Sequence, residues 1–91
     1  MADSEKLARI FKLLSVSTRL RMVQLLKRRC LCVNALARSL GVTPAAVSQH
    51  LRVLRDAGIV RADKRGYFVH YCIDKKALAR WREAADDMLQ T

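Results

Sequence analysis

Two sets of residues in this 91-residue chain have types and spacing suited to chemistry. The first is a trio of thiols, Cys30, Cys32 and Cys72. Cys30 and Cys32 stand two residues apart, directly after the cations Lys27, Arg28 and Arg29 and directly before an apolar run of helical spacing that opens at Val33. Thiolates are soft ligands that hold thiophilic ions, and thiols in electropositive settings are open to oxidation or persulfidation. Three is an odd number, and the N-terminal MADSEKLARIF lacks a basic segment followed by a continuous apolar stretch. A structural disulfide framework is therefore not expected, and reduced thiols in a cytoplasmic protein are. Cys72 reads as a small buried hydrophobe, whereas Cys30 and Cys32 read as a sensing pair.

The second set lies between Thr43 and Arg55. Ala45, Ser48, Gln49, Arg52 and Arg55 share one face of a helical stretch whose other face carries Val47, Leu51 and Leu54. A helix that enters the major groove of duplex DNA, about 12 Å wide, needs small residues near its start and hydrogen-bonding side chains toward base edges. Ala45, Ser48, Gln49 and Arg52 meet that need, and Thr43 and Arg55 flank them. His50, on the helix flank beside Leu51, reads as a packed side chain or a contact to the DNA backbone. Eighteen Lys plus Arg against eight Asp plus Glu give a formal net charge of +10, a balance that favours a polyanionic partner.

Elements must hold these sets in place, and the periodicity names them. Leu7, Ile10, Phe11 and Leu14 keep the i, i+3, i+4, i+7 spacing of a helix whose start Ser4 could cap. A second helix opens near Ser17 and runs through Leu20, Val23 and Leu26 into the basic turn before Cys30. Val33, Leu36, Ala37 and Leu40 form a short third helix that stops at Gly41. Thr43 as cap and Pro44 at the first helical position then open a fourth, closed by Gly58. From Val60 the period becomes two, through Ala62, Tyr67, Val69, Tyr71 and Ile73, with the turn-forming stretch Asp63 to Gly66 between. This is a hairpin with Lys64 and Arg65 at its tip, placed to hold phosphates. Asp74 caps a last helix striped by Leu78, Trp81, Ala85, Met88 and Leu89.

Two short helices joined by a tight Gly-containing turn and followed by a basic hairpin are the pattern of a winged helix-turn-helix. The fold expected is mainly α with a small antiparallel hairpin, about five helices and a two-stranded wing, dimeric. The whole of 1–91 reads as one domain, with the helix-turn-helix at 33–57, the wing at 59–73 and dimerisation helices at 4–14 and 75–89. Chains of this size offer little interior. Leu7, Ile10 and Phe11 with Leu78, Trp81, Ala85 and Met88 therefore read as a homodimer interface. No nucleophile and base pairing and no phosphate-cradling loop point to an enzyme. No apolar run approaches the roughly 18 residues that cross a bilayer, so no membrane partner is expected. A protein-interaction module that uses its charge only for solubility is the alternative.

The stretches STRLRMVQLL, ALARSLGVTPAAVSQHLRVLRDAGIV and RADKRGYFVHYCI resemble the ArsR/SmtB family of bacterial metal- and stress-responsive repressors, over nearly the whole chain. The resemblance implies a homodimer built on the first and last helices. It also implies repression by occupying a promoter, and release when an inducer shifts the dimer away from its DNA-competent shape. Arsenic-sensing members carry a Cys-Val-Cys pair at the start of the first motif helix. Here the equivalent stretch is Cys32-Val33-Asn34, with Cys30 displaced upstream. Three inducer readings stay open: As(III) or another thiophilic ion on Cys30 and Cys32, with Cys72 as third thiolate; a redox or persulfide signal on the same cysteines; or no inducer. No obligatory cofactor is expected. The last helix carries Glu83, Asp86 and Asp87 but no histidine, so the zinc site other members build there is not expected.

Overall fold

A computed structural model describes residues 2–91, with side chains from Ser4 onward. Five helices and one hairpin follow in the order α1 (Ala2–Leu14), α2 (Ser17–Leu26), α3 (Val33–Leu40), α4 (Pro44–Asp56), β1 (Val60–Arg65), β2 (Phe68–Ile73) and α5 (Lys75–Leu89). The core gathers one apolar stripe from each of α2, α3 and α4 together with the base of the hairpin. Met22, Leu36, Val47, Leu51, Leu54 and Ile59 are its fully buried side chains. Apolar area removed from water, at roughly 25 cal/mol per Å², is the main force holding the three helices together.

Local chemistry sets the helix ends. Thr43 Oγ1 accepts from the Ala46 amide at 3.1 Å and Pro44 takes the first helical position, which satisfies one orphan donor of α4 and removes another. Asp74 does the same for α5, accepting from the Ala77 amide at 3.0 Å. At the end of α3, Gly41 adopts φ +68, and the Val42 amide donates back to the Ala37 carbonyl at 3.2 Å. Only Gly41, Val42 and Thr43 lie between α3 and α4, so with that left-handed cap the two helices meet at a tight corner.

The first helix corrects one expectation. It begins at Ala2, so Ser4 lies inside its first turn and is not the cap. Ala is the best helix former and no Gly or Pro separates it from Ser4, so the helix extends upstream of the first apolar residue. The Arg19 Nη1 donates to the Leu13 carbonyl at 3.3 Å, a cation on the carbonyl end of α1 that joins it to α2.

The hairpin corrects another. Its register pairs Val60 with Ile73, Asp63 with His70 and Arg65 with Phe68, leaving only Gly66 and Tyr67 as the turn. Gly66 has φ +63 while Tyr67 keeps a negative φ, the pattern of a two-residue turn with glycine at its first position. Lys64 and Arg65 are therefore the end of a strand, and the aromatic Tyr67 forms the tip, fully exposed. A two-residue turn that matches strand twist wins over the longer loop that Asp63 to Gly66 suggested.

Part of the apolar material assigned to a dimer face is used within the chain. Ile10 is buried, and Leu78 and Trp81 pack against the core. Leu7 and Ala85 are half-buried, and Phe11, Met88 and Leu89 stay exposed. Helices α1 and α5 flank a groove of about 810 Å³ lined by Leu7, Ile10, Trp81 and Met88 among others. Among the described residues no helix is long and apolar enough to cross a membrane.

Candidate nucleic-acid interface

Helix α4 is the centre of the site. Its inner face is pinned by Val47, Leu51 and Leu54, none more than 2% exposed. Ala45, Ser48, Gln49, Arg52 and Arg55 are all exposed on the outer face, and Thr43 is exposed at its start. The surface that would meet a duplex is thus not sealed against the protein's own interior. His50 sits half-buried on the flank. Burial first, and then the positive charge of Arg19, holds its pKa below the ordinary 6.5.

The wing lies next to α4. A recess of about 440 Å³ between them is lined by Ser48, Leu51, Arg52, Arg55, Asp56 and Tyr71. Two guanidinium-bearing side chains and a phenol offer hydrogen-bond donors around one small recess, with the Asp56 carboxylate on the same lining. Tyr71 is a member that sequence reasoning missed. Its place in the period-two pattern marked it only as a hairpin residue, and it packs against the core half-buried. Its alignment beside Arg52 appears only when strand and helix are brought together.

Lys64 and Arg65 are both exposed, but the structure does not bring them to the same surface. Successive side chains of a strand point to opposite faces. Lys64 shares a face of the hairpin with Val69, Tyr71 and Ile73, and Arg65 shares the other with Asp63, His70 and Cys72. Arg65 Nε also makes an ion pair with Asp63 Oδ2 at 3.1 Å. Both partners are well exposed, so the pair contributes little to stability, but it occupies one edge of the guanidinium. Lys64 is the wing cation on the recess side.

The cysteines are placed differently from the expectation of three reduced thiols. Cys30 is joined to Cys72 by a disulfide, with the Cα atoms 4.4 Å apart, and Cys32 is the free, half-buried thiol. The backbone explains the pairing. Leu31 and Tyr71 exchange both amide-to-carbonyl bonds, at 3.0 and 2.8 Å, and so form an isolated antiparallel bridge. Stepping one residue along that register sets Cys30 opposite Cys72 in a non-hydrogen-bonded position, where strands approach most closely. The same step in the other direction sets Cys32 opposite His70, whose buried Nδ1 has no hydrogen-bond partner. The corrected pair is Cys30 with Cys72, and Cys72 is more than a buried hydrophobe. Sequence spacing favoured Cys30 with Cys32 because it cannot see a contact made across 42 residues.

Residues 17–62, from α2 through the first half of β1, match the arsR family of bacterial regulatory proteins. The chain belongs to this family. Over 90 residues the ArsR/SmtB chain is 34% identical to a protein named transcriptional repressor SmtB homolog from Synechocystis, covering 98% of this chain and 68% of that one. It is 36% identical over 76 residues to an arsenic resistance transcriptional regulator of Pseudomonas putida, covering 82% of this chain and 59% of the relative. The chain thus spans about six- to seven-tenths of the length of these two relatives. Among solved structures it superposes on the homodimeric winged helix-turn-helix DNA-binding domain from Mycobacterium bovis with a TM-score of 0.76 and 27% identity, covering 97% of this chain and 85% of that one. The ArsR/SmtB fold here is the winged helix-turn-helix, five helices and one antiparallel hairpin, and the family is one of regulators, not enzymes.

Proposed function

We propose that this ArsR/SmtB protein is a cytoplasmic repressor that occupies operator DNA as a homodimer. We further propose that it is released when a thiol-reactive agent, As(III) or another soft metal ion, engages its cysteines. The observation that carries the DNA reading is the open outer face of α4, where Ser48, Gln49 and Arg52 are exposed on a helix rigidly buried along its other side. Gln49, Ser48 and Arg52 read base edges, with Ala45 permitting close approach. Lys64, Arg55 and Tyr71 hold phosphates, and Arg65 reaches backbone from the far face of the wing. Exposed Phe11, Met88 and Leu89 beside the α1 and α5 groove supply apolar surface for the second copy. A homodimeric solved relative supports the same assembly.

Operator retardation across a salt series tests this. Gln49→Ala costs about 1–3 kcal/mol on the operator and little on unrelated DNA. Lys64→Ala weakens binding to every sequence alike and lowers the salt slope by about one. A chain that retards no DNA in a salt-sensitive way is instead a protein-interaction module. Sodium arsenite should release the reduced protein and fail to release Cys30→Ser/Cys32→Ser.

A redox signal read through Cys30 and Cys72 is the second reading, favoured by the disulfide that joins them while Cys32 stays free.

A further inference from the structure

Four features of the wing converge on one site. The Cys30 to Cys72 disulfide joins the segment leading into α3 to β2. The Leu31 to Tyr71 bridge beside it has two backbone hydrogen bonds. The Tyr71 side chain, on the opposite face of β2, lines the recess with Arg52 and Arg55 of α4. The third thiol, Cys32, stays free.

We infer that Cys30 and Cys72 form a reversible oxidation site for hydroperoxides. In this inference the disulfide clamps the wing to the helix-turn-helix in the tight DNA-binding form, and a soft ion can capture these two sulfurs only after the clamp is reduced. This rests on the operator-binding reading above and names how its thiols are controlled.

The chemistry balances with a hydroperoxide as oxidant. Cys72 is only 3% exposed and Cys30 is half-buried, so Cys30 is the sulfur that meets the oxidant. Its thiolate attacks a peroxide oxygen, the O–O bond breaks, and water or an alcohol leaves a sulfenic acid on Cys30. The Cys72 sulfur then attacks that sulfur, the S–O bond breaks, and a second water carries away the remaining proton. Reduction runs through exchange with an external dithiol, which gives up two electrons and two protons and leaves as its own disulfide.

The mechanical consequence follows from position. Without the sulfur link, two backbone hydrogen bonds carry the bridge at this level, and such bonds are individually modest in net strength. With it, β2 and the lead-in of α3 move as one body, and Tyr71 keeps its place beside Arg52. Binding DNA then orders fewer groups, so preorganisation raises affinity. A disulfide sulfur has no thiolate to offer a metal, which makes the clamp and arsenite capture at Cys30 and Cys72 mutually exclusive.

The test uses the full chain, oxidised with hydrogen peroxide or reduced with dithiothreitol. Intact mass of the oxidised monomer should show the loss of two hydrogens, and alkylation should then label Cys32 alone. The oxidised protein should bind operator roughly fivefold or more tightly than the reduced protein, the lower end of ordinary coupling. Sodium arsenite should release only the reduced form. Cys72→Ala, with circular dichroism as a check on folding, should bind like the reduced protein under both conditions. Cys30→Ser, at the less buried partner, should do the same. A disulfide that uses Cys32, or equal operator affinity in both redox states, overturns the inference alone. A chain that forms the Cys30 to Cys72 disulfide but retards no DNA in either state defeats the operator reading.

Discussion

Helix α4 and the wing stand side by side at the same surface, yet they are held in different ways. Along α4 the apolar residues recur at helical spacing, so Val47, Leu51 and Leu54 bury together while the opposite face presents Ser48, Gln49, Arg52 and Arg55 outward. The wing buries only its base, through Val60, Cys72 and Ile73, and its outer pairs are exposed on both faces. A helix fixed by core packing is a rigid reader whose side chains arrive pre-aimed. A hairpin with few buried contacts has a low local opening energy, so a covalent clamp has far more leverage there than it would on α4.

That contrast can be broken or sharpened by experiment, beginning with the largest effect. Leu54→Ala should cost about 2–5 kcal/mol of global stability, seen as a lowered denaturation midpoint that takes α4 and the wing together. A loss confined to the wing would show that the two regions do not share one core. Gly66→Ala forces a left-handed turn on a residue with a Cβ, a cost of roughly 1–2 kcal/mol. Faster amide exchange should appear in β1 and β2 while α4 keeps its protection; equal loss in α4 would contradict the independence argued here. Thr43→Ala removes one cap bond and should cost about 1 kcal/mol, read as fraying of the first turn of α4 and weaker operator binding through Ala45.

The smallest effect concerns pH. The folded pKa of His50 lies below 6.5 because of burial and the Arg19 charge. As pH falls through 6.5 the unfolded chain takes up a proton before the folded one does, so stability declines on acidification and is regained above that value. His50→Gln should flatten the thermal midpoint between pH 7 and about pH 5. A profile unchanged by the substitution would remove His50 from the account.

Much of this architecture was legible from spacing. Gly41, Thr43 and Pro44 announced the corner between α3 and α4 because cap chemistry acts within a few residues, and Asp74 announced α5 for the same reason. Ser4 misled, because an Ala-led helix can extend past a good cap without penalty. Lys64 and Arg65 were legible as wing cations but not as side chains of opposite faces, since that depends on whether the turn is two residues or four. Tyr71 was legible only as a hairpin residue, because its neighbour α4 is distant in the chain.

Periodicity, capping residues and charge by themselves determined a basic chain with a helix-turn-helix, a hairpin and an outward face of Ser48, Gln49 and Arg52. These are effects of neighbours within one or two turns. Tertiary structure alone decided that Cys30 meets Cys72, that Tyr71 stands by Arg52, and that Ile10, Leu78 and Trp81 are drawn inward. Each of these contacts depends on the register and packing of segments far apart in the chain, and local spacing carries no information about either.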